Sequence, residues 1–294
     1  MLTKVVQDAP ASGSTPAVKS QDTFTYDAAG NTEKRVLGGD TQNLSWNAAG
    51  DLTKSTAGAE EATFAYDAAG ERVLRKEPDA PTFYLPGMEL RLDAASKAIT
   101  AARYYVMGDK TVALRTKHGV QFLSADSHGT AQIAVNAATG ETARRRMDPF
   151  GGERGGDESA KPWVDDKGFL GKPVDESTGL THIGAREYEP ENGRFISADP
   201  LIDFTDPQQI NGYAYANNSP VSFSDPTGLI LYHEVTKLGY GNAQVLHNRI
   251  ARDPAAYQRT LADSWVSYQR YWSQKQSPAQ EKADRARAAA NAAK

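Results

Sequence analysis

Alternating apolar and polar residues dominate the first 150 positions of the chain. Pairs of apolar residues two positions apart, such as Phe24 with Tyr26 and Phe64 with Tyr66, have the period of a half-buried β-strand. More polar runs follow each pair, for example residues 32–36 and 72–75. The pattern predicts β-hairpins, each with an outgoing aromatic strand and a polar return strand.

A turn signal separates the two strands of each predicted hairpin. The sequence YDAAGN from Tyr26 recurs as WNAAGD from Trp46 and as YDAAGE from Tyr66, so successive copies start 20 residues apart. Asp or Asn starts such a turn by hydrogen bonding to its own backbone, and Gly adopts the positive φ at its end. The chain therefore contains an internal repeat of hairpins.

Looser copies of the repeat begin at Leu92, Ala125 and Val135. Four further strands are predicted between and around these copies, at residues 99–106, 111–115, 120–124 and 131–135. Short, evenly spaced strands predict a mainly β fold, in which hairpins add to one continuous sheet that its own twist curls.

The flanks of this β region have different patterns. Residues 1–20 are rich in Ala, Ser and Pro and predict a disordered lead-in, and residues 151–168 predict a Gly-rich surface loop. From residue 230 onward the period becomes helical, with Asp253 and Pro254 as a helix start. An aromatic face follows, and the pattern predicts a small α-helical, basic C-terminal tail.

Composition narrows the classes of function. The chain of 294 residues contains no Cys, which excludes disulfides, a thiolate nucleophile and Cys-based metal sites. Neither a signal peptide nor a membrane-spanning apolar run is present. The net charge of −4 combines +5 from residue 230 onward with −9 before it. The tail is therefore attracted either to the acidic body or to an anionic partner.

Residues 178–229 carry a dense set of motifs. These are TGL at 178–180, GAREY at 184–188, GRFISADP at 193–200, NGY at 211–213, NNSP at 217–220 and DPTGL at 225–229. Together with the Tyr-Asp copies and DPFG at 148–151, they closely resemble the RHS/YD-repeat proteins of the polymorphic toxin family. The resemblance covers roughly residues 22–229 and includes the RHS repeat-associated core domain.

This resemblance implies a domain plan. It consists of the lead-in at 1–20, hairpin repeats forming a curled RHS-type β-sheet shell segment at 21–150, the loop at 151–168, the core domain at 169–229 and the effector-like tail at 230–294. In the family, the shell encloses a C-terminal toxin. With three clear repeats, this chain is too short to close a shell alone, which implies the remaining RHS shell as a partner.

The same resemblance implies further partners and a location. An immunity protein for the tail is expected, together with secretion, cell-surface display or delivery by a secretion system. No cofactor and no metal are implied. Nucleic acid is a partner only for the tail, whose charge and aromatic residues leave open a small toxin that acts on nucleic acid.

In the family, the core domain cuts its own chain just after the DPxGL motif, which here places the cut between Leu229 and Ile230. Peptide hydrolysis by carboxyl groups requires one ionised group to activate water and one protonated group to assist the leaving amine. Asp199 and Asp225 match the motifs, and Arg186 is able to hold a carboxylate in place. An aspartyl-type autoprotease that acts once on its own chain is the leading hypothesis.

Structural alternatives accompany each of these assignments. Asp148 and Asp206 also precede proline and are interpreted as turn residues. Arg194 is a rival for the role of Arg186, and His182 has no partner at a known spacing and receives no role. Four aromatic residues of the core motif are expected to pack in the interior, namely Tyr188, Phe195, Tyr213 and Tyr215. A non-catalytic RHS scaffold is the alternative function.

Overall fold

The computed structural model describes residues 2–9, 18–68, 70–108, 110–154, 162–200 and 210–229. The predicted helical tail lies outside the described residues, as do Ile230, Asp206 and the middle of the predicted loop at 151–168.

A single antiparallel sheet of 14 strands forms the framework of this region. Each strand pairs with the strand before it in the chain, so the sheet is a continuous meander with β1 and β14 at its edges. The strands are β1 (Lys4–Ala9), β2 (Val18–Tyr26), β3 (Thr32–Leu37), β4 (Asp40–Trp46), β5 (Leu52–Ala57), β6 (Glu60–Tyr66), β7 (Arg72–Lys76), β8 (Thr82–Leu85), β9 (Met88–Leu92), β10 (Ile99–Met107), β11 (Lys110–Thr116), β12 (Gly119–Ala125), β13 (Ala131–Asn136) and β14 (Thr142–Arg144). The predicted mainly β fold, built hairpin by hairpin, is confirmed.

The predicted turns have the predicted chemistry. Oδ1 of Asp27 accepts hydrogen bonds from the backbone amides of Ala29 and Asn31, both at 2.9 Å. Gly30 ends the turn with a φ of 89°, a conformation that side chains with a Cβ disfavour. One repeat later, Asn47 accepts the equivalent bonds and Gly50 has the same φ of 89°.

The beginning of the chain differs from expectation. We predicted a disordered lead-in over residues 1–20, but Lys4–Ala9 forms β1 and pairs with β2, which itself begins at Val18. The backbone amide of Phe24 also donates to the carbonyl of Thr3 at 3.0 Å. Backbone pairing along an existing sheet edge supplies the hydrogen bonds of β1, so the low apolar content of this segment does not prevent a strand.

A second, smaller sheet packs against one face of the meander, here called the inner face. Its four antiparallel strands are β15 (Val174–Asp175), β16 (Leu180–Ile183), β17 (Arg186–Glu189) and β18 (Arg194–Phe195). Three short 3-10 helices lie beside it, at Phe169–Gly171, Pro190–Asn192 and Ala216–Asn218. The two sheets share an apolar cluster in which Leu44, Leu52, Ala62 and Phe64 pack with Leu180 and Ile196.

Buried ion pairs hold the small sheet against β7, the return strand of the third repeat hairpin, β6–β7. Arg72 donates to Asp175 at 2.9 Å and to Glu187 at 2.6 Å, and Arg75 reaches Asp175 at 2.9 Å. The side chains of Arg72, Arg75, Asp175 and Glu187 are at most 2% exposed. Burying charges is costly unless each finds a partner, so this network specifies where the small sheet sits.

The first repeat hairpin, β2–β3, is held against the small sheet by similar polar contacts. Arg35 lies on β3, forty residues and two repeats before Arg75, and its guanidinium binds Glu189 at 2.9 Å. Its Nε also donates to Gln42 at 2.7 Å, and Gln42 in turn donates to the carbonyl of Ser177. Equivalent positions in different repeats thus present polar side chains to the same partner sheet.

Candidate functional site

Arg186 is the centre of the candidate site. It begins β17 directly after a tight turn, its side chain is 3% exposed, and its guanidinium carbon lies 3.6 Å from the centre of the Phe195 ring. Stacking on an aromatic face holds the guanidinium plane in one orientation while leaving its edge free to donate hydrogen bonds.

The edge of this guanidinium joins the two predicted aspartates. One nitrogen, Nη2, lies 2.9 Å from Oδ2 of Asp199 and 3.1 Å from Oδ2 of Asp225. Nε donates to the carbonyl of Gly228, and Nη1 donates to the carbonyl of Gly212 at 3.1 Å. The three predicted site residues are therefore brought together, and Arg186 links them to the DPTGL motif.

Asp225 is buried, and both its carboxyl group and its backbone amide are hydrogen bonded. Its side chain is 5% exposed, and its Oδ1 accepts hydrogen bonds from the amide of Leu229 at 3.0 Å and from the hydroxyl of Thr227 at 3.1 Å. Its own amide donates to the hydroxyl oxygen of Tyr215 at 3.3 Å. Burial raises the pKa of Tyr215, so its phenol is neutral at ordinary pH.

Asp199 provides the more open side of the site. Its amide donates to the carbonyl of Gly212 at 2.8 Å, and its side chain is 18% exposed. Because Asp199 reaches the surface while Asp225 is enclosed, solvent has access to the pair from one direction.

Gly184 and Gly228 permit the close approach of the DPTGL motif to the turn before β17. The amide of Ala185 donates to the carbonyl of Thr227 at 3.0 Å. A Cβ on Gly228 would lie 2.3 Å from the carbonyl oxygen of Ile183, and Gly228 has a φ of 68°. Only glycine fits both the space and the backbone conformation.

The rival assignments lie apart from this cluster. Arg194 binds Glu189 at 3.3 Å and the hydroxyl of Tyr26 at 2.8 Å, so it braces the small sheet against the first hairpin. Asp148 accepts bonds from Phe150 and Gly152 in a turn, as a turn residue does.

The remaining motif residues pack as follows. His182 lies in the buried ion network, with its Nδ1 2.9 Å from Glu187. Tyr188, Phe195 and Tyr215 are fully buried, as predicted, whereas Tyr213 is half-buried and donates from its hydroxyl to the carbonyl of Gly30 at 2.7 Å.

Sequence reasoning missed the hydroxyls of Thr227 and Tyr215 as partners of Asp225. Thr227 occupies the variable position of the DPxGL pattern, and Tyr215 was interpreted as packing alone. In the described part of the chain, no three His, Asp or Glu side chains are arranged to hold a metal ion. None of the helices described is long and apolar enough to cross a membrane.

Several curated proteins are similar to parts of this chain. The tRNA nuclease WapA of Bacillus subtilis (strain 168) is 38% identical over 109 residues, which is 36% of this chain and 5% of that protein. The toxin protein Tse5 of Pseudomonas aeruginosa is 48% identical over 63 residues, or 21% of this chain and 5% of that protein. The chain therefore spans only a small fraction of the length of these relatives.

Solved structures share the fold. The crystal structure of TcdB2-TccC3-TEV superposes with a TM-score of 0.54 and 22% identity, covering 77% of this chain and 14% of that chain. The structure of TcdB2-TccC3-Cdc42 gives a TM-score of 0.53 and covers 81% of this chain and 14% of that chain.

One family model covers the residues that form strands β2 to β18. The Teneurin YD-shell model matches residues 13–221, more than half of the chain. The chain belongs to the Teneurin YD-shell family.

Proposed function

We propose that the core region cleaves its own chain once, between Leu229 and Ile230, with Asp199 and Asp225 as the catalytic carboxyl groups and Arg186 as the residue that holds them. Cleavage would divide the shell segment from the tail at residues 230–294, which is then either released or retained. The chain is thus a shell protein of the polymorphic toxin type that processes itself.

The observation that carries this proposal is the bridging position of Arg186. A single nitrogen contacts both carboxyl groups, and the same guanidinium binds the carbonyl of Gly228, one residue before the predicted cut. Hydrolysis by carboxyl groups requires two of them close together. Arg72 also binds two carboxyl groups, but the pair at Arg186 differs because it lies beside the predicted cut and because Asp199 is 18% exposed.

The chemistry balances with water as the only co-reactant. The ionised carboxyl group takes a proton from water as the water oxygen bonds to the carbonyl carbon of Leu229. The protonated carboxyl group first donates a hydrogen bond to the carbonyl oxygen and then transfers its proton to the nitrogen of Ile230, and the C–N bond breaks.

Proximity favours an intramolecular cut. Asp225 lies four residues before the predicted bond, and the amide of Leu229 is hydrogen bonded to its carboxylate. Holding a reacting group at such a short range replaces a bimolecular encounter and contributes a high effective concentration.

Intact-mass measurement of the freshly purified chain tests the proposal. We expect two fragments that meet at Leu229 and Ile230, and a whole chain in the Asp199→Asn and Asp225→Asn variants. Asp148→Asn is the matched control, because Asp148 also precedes proline but only forms a turn. A whole wild-type chain, or a cleaved Asp225→Asn variant, would remove the assignment and leave the non-catalytic scaffold.

A second candidate function concerns the tail. The net charge of +5 over residues 230–294, and a relative that is named a tRNA nuclease, both favour a tail that acts on nucleic acid. The isolated peptide of residues 230–294 should then bind tRNA at low salt and lose affinity as salt is raised. Absence of binding at low salt would exclude this function.

The proposed system also has partners and a location. The chain spans 14% of the structures it superposes on, which supports the remaining RHS shell as a partner. We also propose an immunity protein for the tail and delivery by a secretion system, and similarity to a relative that is named a toxin supports both proposals.

A further inference from the structure

The outer face of the 14-stranded sheet, opposite the small sheet, changes character along the chain. Across β3 to β6 it is polar, with Lys34 opposite Asn43 and Lys54 opposite Thr63. From β8 to β12 it carries large exposed apolar side chains. These form what we call the apolar outer patch, namely Phe83, Ile99, Tyr105, Met107 and Phe122, which are 39% to 72% exposed.

Strand register shows that most of these side chains share one face. Phe83 stands opposite Leu90, and Tyr105 stands opposite Ala113, which itself stands opposite Phe122. Directly paired residues of antiparallel strands point to the same side of the sheet. The neighbouring residue Tyr104 points to the inner face, where its hydroxyl contacts Glu89 at 3.2 Å. Met107, two residues after Tyr105, extends the patch at the end of β10, beyond a register shift.

The outward-facing charged residues within strands β8 to β12, Arg103 and Arg115, are both basic, although the acidic Asp93 lies in the turn after β9. Glu89 is the one acidic residue in strands β8 to β13, and it binds Lys167 on the inner face. On the outer face Arg103 stands directly opposite Arg115, and Arg103 lies 5.7 Å from the ring of Tyr105. Like charges directly opposite each other repel, so this pair favours an anionic partner.

Further shell repeats do not account for the patch. Every strand pairs with its neighbour in sequence, so added repeats extend the sheet in its own plane from an edge and leave its faces as they are. A second copy is also a poor match. Two patches in contact would bring the arginines of both copies together without an acidic residue of the patch between them.

The size of the patch also argues against a standard protein–protein interface. Five strands at about 4.8 Å spacing, with a similar extent along the strands, give roughly 400 Å². This lies within the roughly 300–600 Å² of the largest apolar patch on a typical monomer, which is often functional, and it is about half of the ~800 Å² that each partner buries in a standard protein interface. Peripheral membrane proteins bind through apolar surfaces of this kind when basic residues accompany them.

We propose that the apolar outer patch docks on the surface of an anionic lipid bilayer, with its apolar side chains entering the acyl boundary and Arg103 and Arg115 binding headgroup phosphates. Arginine suits this role because its planar fork binds phosphate oxygens in a bidentate manner. This inference is independent of self-cleavage.

Vesicle flotation of the full-length chain tests the proposal. Vesicles of phosphatidylcholine with 30% phosphatidylglycerol should carry the protein to the top of the gradient, and vesicles of phosphatidylcholine alone should carry much less. The double variant Phe83→Ser/Phe122→Ser should lose binding by about tenfold or more, because it removes two exposed aromatic anchors. Far-ultraviolet circular dichroism and thermal melting check that this variant folds like wild type.

Charge-reversal variants separate the patch from general electrostatics and from the basic tail. Arg103→Glu/Arg115→Glu should abolish flotation. Lys34→Glu/Lys76→Glu, the matched control, reverses the same charge on exposed residues outside the patch and should retain it. Equal binding by all variants would assign lipid binding to the tail and overturn the proposal. Absence of flotation, or a dimer in sedimentation that Phe83→Ser/Phe122→Ser dissociates, would also overturn it.

Discussion

The carbonyl oxygen of Thr227 lies 2.2 Å from the point that a Cβ would occupy on Gly184. Gly184, in the turn before Arg186, has a φ of 56°. Neither the space around it nor this backbone conformation accommodates a side chain with a Cβ. The DPTGL segment, which leads into the predicted cleavage bond, therefore packs directly against the turn that precedes Arg186.

Gly184→Ala should destabilise the protein severely. Positive φ costs roughly 1–2 kcal/mol for a residue with a Cβ, and overpacking against backbone adds about 1–3 kcal/mol. Urea unfolding should therefore show a loss of about 3 kcal/mol or more. Gly179→Ala is the control, since Gly179 also has a positive φ, of 70°, but open space around it. Equal losses in the two variants would contradict the close contact with Thr227.

Thr227→Val should slow the proposed self-cleavage. The hydroxyl donates to Asp225 at 3.1 Å and accepts from the amide of Leu229 at 3.3 Å, so it aligns the carboxylate with the residue whose carbonyl is attacked. Losing a hydrogen bond to a charged group corresponds to about tenfold or more in rate. Intact mass followed over time after cell-free synthesis measures this rate.

Thr227→Ser keeps the hydroxyl and should restore cleavage close to the wild-type rate. If Thr227→Val and Thr227→Ser are equally slow, the methyl group rather than the hydroxyl is responsible. If both cleave like wild type, Thr227 has no positioning role, while the assignment of Asp199 and Asp225 is untouched.

Arg72→Met should reveal how strongly the third hairpin holds the small sheet. It leaves Asp175 and Glu187 buried without their main partner, which typically costs about 3–5 kcal/mol. Chemical denaturation should show this loss. Lys54→Met, the control, breaks an ion pair with Glu61 whose side chains are 42% and 51% exposed, and should cost under about 1 kcal/mol. Similar small losses would mean that the buried network contributes little.

Acid should weaken the same network. Burial and the nearby Arg72 lower the pKa of His182 below its usual 6.5. Burial acts to raise the pKa of Glu187, but Arg72 and His182 outweigh it and lower that pKa below 4.5. Both groups bind more protons in the unfolded chain, so stability is complete above about pH 6.5 and falls as the pH drops, first through His182 and then through Glu187.

Urea midpoints at pH 7.5, 6.0 and 5.0 measure this dependence. His182→Asn, whose amide nitrogen replaces Nδ1, should flatten the part of the curve between pH 6.5 and 5.0. His118→Asn changes an exposed histidine and should leave the curve as it is. A wild-type curve that is flat down to pH 5.0 would contradict a buried neutral His182.

The repeat hairpins were predictable because local chemistry decides them. The alternation before Tyr26, the side chain of Asp27 and the positive φ of Gly30 all act within a few residues, and each is readable from sequence. The strand β1 was not predictable in this way. Its hydrogen bonds come from pairing with β2, and the local sequence does not show that the edge of β2 is available for pairing.

The ionic contacts between the sheets were also missed, for a different reason. Arg72 and Arg75 meet Asp175 across about 100 residues, and a polar residue in an alternating strand is normally interpreted as solvent-facing. The spacing of 40 residues between Arg35 and Arg75 was the available signal, because equivalent repeat positions face the same way. Arg186, Asp199 and Asp225 were found through their motifs, whereas Thr227 needed the structure.

The sequential pairing of the meander determines the order in which the molecule can fold. Each strand finds its partner in the segment made just before it, so contact order is low and the sheet can form during synthesis. The small sheet depends on contacts such as that between Thr32 and Ile196, which span 164 residues. The carboxyl pair is therefore assembled only after the repeats have been synthesised, so the order of synthesis delays the proposed self-cleavage until the sheet can form.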